Sequence, residues 1–105
     1  MVSCISGKIF FVTLNFNKKS KNYLNHNTYI LSEKNKKILL IPPNFANGLL
    51  CISDKCLFHY KLFYKGKYAD VKNQVTIKWD DPKLNIKWPI KNPILSKRDK
   101  NAKKL

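Results

Sequence analysis

Glycine, cysteine and histidine are scarce in this sequence, and their scarcity excludes several kinds of functional site. Three glycines in 105 residues cannot supply a glycine-rich phosphate-binding loop. No two of the three cysteines, Cys4, Cys51 and Cys56, form a CxxC pair. His26 and His59 lie far apart in the sequence, so no spacing typical of metal ligands is present. We therefore expect no metal and no disulfide framework, and a reducing cytoplasm is the simplest setting for the thiols.

Long apolar runs are also missing. The stretch MVSCISGKIFFVTLNF falls short of about 18 continuous apolar residues and contains Asn15, so it does not predict a transmembrane helix. It also lacks the basic region and the small-residue cleavage site of a signal peptide. We expect no membrane partner.

Arginine is nearly absent, although the chain is strongly basic. Twenty-one lysines and arginines against six aspartates and glutamates give a formal charge of +15, and Arg98 is the only arginine. Such a charge invites a nucleic-acid or anionic-membrane partner. Arginine makes the bidentate contacts to phosphate and guanine, whereas lysine is a solvated point charge. The composition therefore favours a solvated lysine-rich surface, and we expect no nucleic-acid partner.

Short strands dominate the hydrophobic pattern. In KIFFVTLNF, residues 8–16, side chains alternate with a period of two, and no long helical periodicity occurs anywhere. Turn-forming residues separate the apolar segments, which predicts a small all-β sandwich or barrel. The predicted strands are residues 8–16, 28–31, 38–41, 49–52, 55–64 and 74–79, with a tight loop at 44–48.

An extended tail follows these strands. Three turns that contain proline punctuate residues 80–105. Ser96 as an N-cap, with Asp99 at the third helical position, predicts a single helical turn between Ser96 and Lys104.

Each candidate functional residue has a structural explanation when it is taken alone. Tyr60 fits a core or edge tyrosine, and Asp99 fits a negative charge at a helix start. Trp79 and Trp88 fit packing residues.

Four segments nevertheless form a series. They are IPPNFANG at 41–48, ISDKCLFHYK at 52–61, IKWDDP at 77–82 and IKWPIKNPILSKRD at 86–99. In this order the series closely resembles the nucleotide-sugar 3,5-epimerases, a family that includes the dTDP-4-dehydrorhamnose 3,5-epimerases. The resemblance covers essentially the whole chain.

The resemblance implies a fold and a reaction. The fold is a cupin, a double-stranded β-helix or jelly-roll, which forms homodimers and uses no metal or other cofactor. The reaction inverts C3 and C5 of a 4-keto nucleotide sugar, linked to dTDP or to another nucleotide. The ketone acidifies the flanking C–H bonds, a base removes a proton, and an acid returns one on the opposite face. This is isomerase chemistry of deoxysugar and cell-surface polysaccharide biosynthesis.

The resemblance implies catalytic roles for two residues. Tyr60, in the F-x-Y-K motif, takes the place of the family's general acid. A phenol suits this role because an ordinary pKa of about 10 keeps it protonated. Asp99, in LSKRD, takes the place of the aspartate that orients and charges the catalytic histidine.

Three further residues are implied in substrate binding. Arg98 stands where the family has a basic residue near the substrate phosphates. Asn47 stands where many members have a histidine that contacts phosphate; its amide can donate a hydrogen bond but brings no positive charge. Tyr68, within a longer loop, is placed as the tyrosine that stacks on the nucleotide.

One part of the family pattern has no counterpart. The family's catalytic base is a histidine in an R-G-x-H-x-Q segment that precedes the GKIFFV-like strand, and only six residues precede Gly7. Neither His26 nor His59 matches that segment. His59 is adjacent to Tyr60, and neighbouring residues of a strand point to opposite faces.

We therefore expect an N-terminally incomplete cupin epimerase domain over residues 1–105, with strands over about 7–79 and the tail over about 80–105. We interpret the chain as the C-terminal part of a longer epimerase. We expect it to expose sheet edges and to show little or no catalysis.

Two alternatives stay open. One is a non-catalytic cupin that binds a sugar nucleotide or pairs with a complete homologue. The other is a basic module for single-stranded nucleic acid, in which lysines interleave with aromatic side chains that stack on bases.

Overall fold

The computed structural model describes residues 1–63 and 75–105. The chain divides into two compact units, residues 1–61 and residues 62–105. The described elements are six strands in the first unit and one short helix in the second, so the all-β expectation is confirmed. They are β1 Val2–Ser6, β2 Lys8–Asn15, β3 His26–Ser32, β4 Ile38–Leu39, β5 Phe45–Cys51, β6 Leu57–Tyr60 and α1 Lys97–Lys100.

The strands form two antiparallel sheets, ordered β4-β1-β6 and β3-β2-β5. The central strand β2 carries the alternation that predicted it, and it pairs with β3 from Lys8–Ser32 to Leu14–His26. On its other side β2 pairs with β5 along the whole of β5. Its two neighbours satisfy the backbone groups of β2 on both sides, which makes it the best-supported strand of the unit.

One buried cluster lies between the two sheets, and Val12 and Leu14 are buried on the opposite face of β2. Val2 and Cys4 of β1 form this cluster with Ile9 and Phe11 of β2 and with Leu31 of β3. Ile9, Phe11 and Leu31 are fully buried. Side chains of one strand point alternately to opposite faces, so this cluster defines the inner face of each sheet.

Gly7 carries the chain from one sheet to the other. Its φ of +85° lies in the left-handed region, where only glycine is free of strain. A Cβ at this position would overlap the Lys55 carbonyl oxygen and would lie 2.7 Å from Ser53 Oγ and 3.0 Å from Cys56 Cα. Gly7 and residues 52–56 therefore close one end of the unit, here called the closed end. The opposite end, where β2 and β6 finish, is called the open end.

The predicted loop at 44–48 is wrong. Phe45 to Gly48 belong to β5, with Asn47 opposite Thr13 and Gly48 opposite Val12 of β2. Asparagine and glycine are poor strand residues, which is why the sequence indicated a loop. Hydrogen bonding along the central strand outweighs that local preference.

The predicted strand at 74–79 is also wrong over its described part, because residues 75–78 are irregular and Trp79 lies in a turn. The Trp79 carbonyl accepts a hydrogen bond from the Trp88 indole N–H at 2.8 Å, and the two rings meet edge to face at 6.2 Å. Packing between the two indoles thus replaces the strand ladder. Both tryptophans therefore serve as packing residues, which is the interpretation that the sequence favoured for each residue taken alone.

The remaining strand predictions differ in length. The predicted strand at 28–31 is extended to His26–Ser32, whereas that at 38–41 shortens to Ile38–Leu39. The predicted strand at 55–64 keeps only Leu57–Tyr60 within the described residues. Strand β1 was not predicted, because the short segment of residues 2–6 lacks the clear alternation that marks β2.

The predicted helical turn is confirmed. Ser96 caps α1, and its Oγ accepts a hydrogen bond from the Asp99 backbone N–H at 3.2 Å. Within residues 1–63 and 75–105, no helix is long and apolar enough to cross a membrane.

Replacing Gly7 with alanine should destabilise the first unit strongly. The variant combines a left-handed φ with a clash at the closed end, and together these should cost at least about 2 kcal/mol. Urea unfolding followed by far-ultraviolet circular dichroism measures the effect. Gly48→Ala is the matched control because Gly48 has no positive φ. Equal midpoints for the two variants would contradict this account of Gly7.

Candidate active site

A row of polar side chains lies on the inner face of β3-β2-β5 near the open end. Asn47 of β5 and Asn27 of β3 both pair with Thr13 of β2. Paired residues of an antiparallel sheet point to the same face, so these three side chains lie beside one another on the face of Phe11. Thr13 is buried, whereas both asparagines are exposed. The row therefore presents two amides at the open end of the inner face.

Tyr60 lies on the inner face of the other sheet. It pairs with Val2, whose side chain is part of the core, and its ring lies 6.0 Å from that of Phe58. Phe58 in turn stacks on Phe11 across the two sheets, with ring centroids 5.8 Å apart. Tyr60 is 57% exposed, because β6 ends at this residue. It is thus an edge tyrosine that a ligand can reach.

Tyr60 and Asn47 lie at the same level of the two facing inner surfaces. Phe58 contacts Phe11, and Phe11 pairs with Leu49. Tyr60 is two residues beyond Phe58 toward the open end, and Asn47 is two residues beyond Leu49 in the same direction. The strand register therefore brings the predicted acid and one predicted binding residue to the same end of the first unit.

Both histidines lie on outer faces. His59 pairs with Ser3, on the face of β6 opposite to Phe58 and Tyr60, as the sequence predicted. His26 pairs with Leu14, on the face of β3 opposite to Asn27. These are the only histidines of the chain, so no imidazole of the chain shares the inner surface with Tyr60.

Arg98 and Asp99 are neighbours in α1, in the second unit. Arg98 is exposed and Asp99 is half-buried. The Ser96 carbonyl accepts a hydrogen bond from Lys100 N–H at 3.0 Å, which closes this single turn. The cap at Ser96 therefore orients both predicted residues. Tyr68, the remaining predicted binding residue, lies outside the described residues.

Asp81 is a buried carboxylate that the sequence analysis did not single out. Its side chain accepts hydrogen bonds from the backbone N–H of Leu105 at 2.6 Å and of Lys83 at 2.9 Å. The Leu105 hydrogen bond, followed by that of Lys83, holds the pKa of Asp81 below its ordinary value. Asp81 is the second acidic residue of the IKWDDP segment, so part of that motif serves to tie the C-terminus to the second unit.

Sequence reasoning also missed Thr13 and Asn27. The signal for Thr13 was present, because it alternates with Phe11 along a strand that was correctly predicted. Asn27 was placed in a loop, and only the register with β2 shows its face. Among residues 1–63 and 75–105, no group of three histidine, cysteine or acidic side chains could hold a metal ion.

Two facing antiparallel sheets, with polar and phenolic side chains at one end of the inner surfaces, are the architecture of a cupin-type β-sandwich. The sequence model described as dTDP-4-dehydrorhamnose 3,5-epimerase matches residues 1–105. The chain therefore belongs to the dTDP-4-dehydrorhamnose 3,5-epimerase family.

Individual relatives carry the same name. The chain is 35% identical over 104 residues to the dTDP-4-dehydrorhamnose 3,5-epimerase of Shigella flexneri, which covers 99% of this chain and 56% of the relative. It is 36% identical over 110 residues to the enzyme of the same name from Methanothermobacter thermautotrophicus, in an alignment that covers 100% of this chain and 57% of the relative. The chain thus spans a little over half the length of these relatives.

Solved structures agree in fold. The dTDP-4-dehydrorhamnose 3,5-epimerase of Bacillus anthracis, with TDP and pyrophosphate bound, has a TM-score of 0.90 at 30% identity, covering 99% of this chain and 58% of that one. The Legionella pneumophila enzyme, in complex with dTDP-4-keto-L-rhamnose, has a TM-score of 0.88 at 31% identity, covering 98% and 54%. The expected cupin fold is confirmed.

Acid should destabilise the second unit through Asp81. A carboxyl group with a lowered pKa in the folded state contributes stability above its unfolded pKa, and this contribution disappears as the pH falls through the folded pKa. We expect the urea midpoint, followed by the fluorescence of Trp79 and Trp88, to drop below about pH 4. Asp81→Asn should lower the midpoint at neutral pH and flatten its acid dependence.

The matched control is Asp80→Asn. Asp80 forms an exposed ion pair with Lys78 at 3.4 Å, and such pairs contribute at most about 1 kcal/mol. This variant should keep the acid dependence of the native chain. If Asp81→Asn kept it as well, Asp81 would not be its source.

Proposed function

We propose that the chain carries the acid side and the nucleotide-binding side of a 3,5-epimerase site for a 4-keto nucleotide sugar. The observation that carries the proposal is the position of Tyr60. Its ring is accessible at the open end of the inner surface, and Phe58 anchors it against the core. The relatives with bound TDP and with dTDP-4-keto-L-rhamnose support a dTDP-linked sugar as substrate.

In the proposed reaction Tyr60 returns the proton. Removal of the hydrogen next to the ketone gives an enolate, and a phenol on the opposite face protonates the carbon with inversion. The Tyr60 ring packs at a tilt of 31° beside Phe58, with ring centroids 6.0 Å apart, and this contact positions it at the open end. Such positioning replaces a random encounter with a directed proton transfer.

Asn47, Arg98 and Tyr68 hold the nucleotide in this proposal. The Asn47 amide donates a hydrogen bond to a phosphate oxygen, and the Arg98 guanidinium makes the charge-assisted contact that a diphosphate favours. Tyr68 stacks on the nucleotide. The chain's formal charge of +15 adds a field that attracts an anionic substrate.

Asp99 is proposed as the residue that orients the base. A carboxylate that accepts the second N–H of an imidazole fixes its tautomer and stabilises its charged form. Both histidines of the chain lie on the faces opposite to Tyr60 and Asn27, so neither is proposed as the proton-abstracting base. We further propose a homodimer in the cytoplasm, in keeping with the family resemblance.

The isolated chain should bring about little proton exchange in its substrate. We expect incubation with a dTDP-4-keto-6-deoxyhexose in deuterium oxide to leave the rates at C3 and C5 near those without protein, because no imidazole faces Tyr60. Proton magnetic resonance of the sugar measures both positions. Robust exchange by the 105-residue chain would falsify the claim that catalysis needs an imidazole opposite Tyr60.

Binding should persist and should depend on Arg98. Loss of one charge-assisted contact to phosphate costs about 1.5–3 kcal/mol, so Arg98→Ala should weaken the binding of dTDP at least about tenfold in titration calorimetry. Lys97→Ala removes a neighbouring charge from the same helix and should change the affinity less than about twofold. Equal losses in the two variants would show a general charge effect and would remove Arg98 from the proposed site.

A further inference from the structure

Three thiols converge at the closed end of the first unit. Cys51 ends β5 and pairs with Ile9, so it lies on the inner face. Cys56 immediately precedes β6 and packs against the core cluster. Cys4 belongs to that cluster, and its Sγ donates to the carbonyl oxygens of Ser6 at 3.2 Å and Gly7 at 3.4 Å. Along the sequence, Cys51 and Cys56 lie 47 and 52 positions after Cys4, yet all three belong to the same end of the unit.

The loop between the strands brings Cys51 and Cys56 side by side. Ser53 Oγ donates to the Lys55 carbonyl oxygen at 2.7 Å and accepts from Lys8 N–H at 3.0 Å, which fixes the loop against the start of β2. Gly7 allows the closest approach, because its missing Cβ leaves room for Lys55 and Cys56. The Cys51 thiol donates to the Ser53 carbonyl oxygen at 3.2 Å and lies 3.8 Å from Ser53 Oγ, so its side chain is held against the loop that leads to Cys56.

The two thiols differ chemically. The hydrogen bond with Cys56 is the largest influence on Cys51 and lowers its pKa despite its partial burial. Burial, together with that shared hydrogen bond, raises the pKa of Cys56 to about 11. Burial also raises the pKa of Cys4, whose thiol is held by two carbonyl oxygens. Of these thiols, Cys51 is therefore the one that loses its proton most readily, and Cys56 holds its proton more firmly.

We propose that Cys51 and Cys56 form a dithiol site that small disulfides of the glutathione class oxidise to an intramolecular disulfide. The Cys51 thiolate attacks one sulfur of the small disulfide, forms a mixed disulfide and releases the first small thiol. Cys56 then loses its proton and attacks the Cys51 sulfur, and the second small thiol leaves. The two cysteines lose two electrons and two protons in total, and the small disulfide gains them as two thiols.

The disulfide would join the two sheets covalently. It links the end of β5 in one sheet to the start of β6 in the other, across the closed end. Asn47 lies four residues before Cys51, and Tyr60 lies four residues after Cys56, about 13 Å along each strand. The oxidised link therefore acts on the frame that carries the two inner-face residues of the candidate site and not on these residues themselves.

The folded chain itself provides the first test. It is incubated with excess oxidised glutathione, its remaining thiols are alkylated, and it is digested with trypsin without reductant. Trypsin cleaves after Lys55, between the two cysteines, so the proposed disulfide keeps two peptides together in the mass spectrum. We expect a Cys51–Cys56 link with Cys4 alkylated. A link through Cys4, a lasting glutathione adduct without ring closure, or no reaction overturns the proposal.

Single substitutions test the division of roles. Cys56→Ser should trap glutathione on Cys51, and this adduct should form at least about tenfold faster than any adduct on Cys56 in Cys51→Ser. Cys4→Ala is the matched control and should still form the link. Circular dichroism checks that each variant is folded, and the peptide map of the unaltered chain decides the proposal if one is not. Equal rates in the two serine variants overturn the assignment of Cys51 as nucleophile.

Discussion

The contact between Phe11 and Phe58 is the constraint on which the rest of the first unit depends. It joins the central strand of one sheet to an edge strand of the other, with the rings stacked at 5.8 Å and Phe11 fully buried. Losing such a side chain from a core costs about 3–5 kcal/mol, which is comparable with the whole stability of a small domain. With this contact in place, alternation along each strand determines which side chains face inward. The inward-facing residues are Asn47, Leu49 and Cys51 on β5 and Phe58 and Tyr60 on β6, with Cys56 immediately before β6.

Alternation and local signals predicted much of this fold, and their failures have a common cause. The central strand β2 and the cap at Ser96 were predictable because their signals lie within a few neighbouring residues. Residues 44–48 were not, because asparagine and glycine favour a turn until a partner strand is present. The strand prediction at Trp79 failed for a similar reason. Its partner Trp88 lies nine residues away and donates to the carbonyl that a strand ladder would use.

The candidate site divides in the same way. Tyr60 and Asn47 could be singled out from the motif series, since each motif is local and keeps the order of the family. Thr13 and Asn27 could not, because they meet Asn47 only through the register of three strands. The thiol cluster is the extreme case. Its spacing matches no motif, and Cys4 reaches it only because Gly7 folds β1 back against the loop of residues 52–56.

The continuous segment from β5 to β6 thus contributes residues to both ends of the unit. β5 runs from the open end to the closed end, residues 52–56 cross between the sheets, and β6 returns to the open end. Residues two apart in each strand share a face, so the side chains suited to a polar ligand and those suited to thiol chemistry lie on the same inner surfaces. The closed end fixes the end of β5 and the start of β6, and the positions of Asn47 and Tyr60 relative to each other depend on it. Aromatic packing and strand register organise the strands of the first unit.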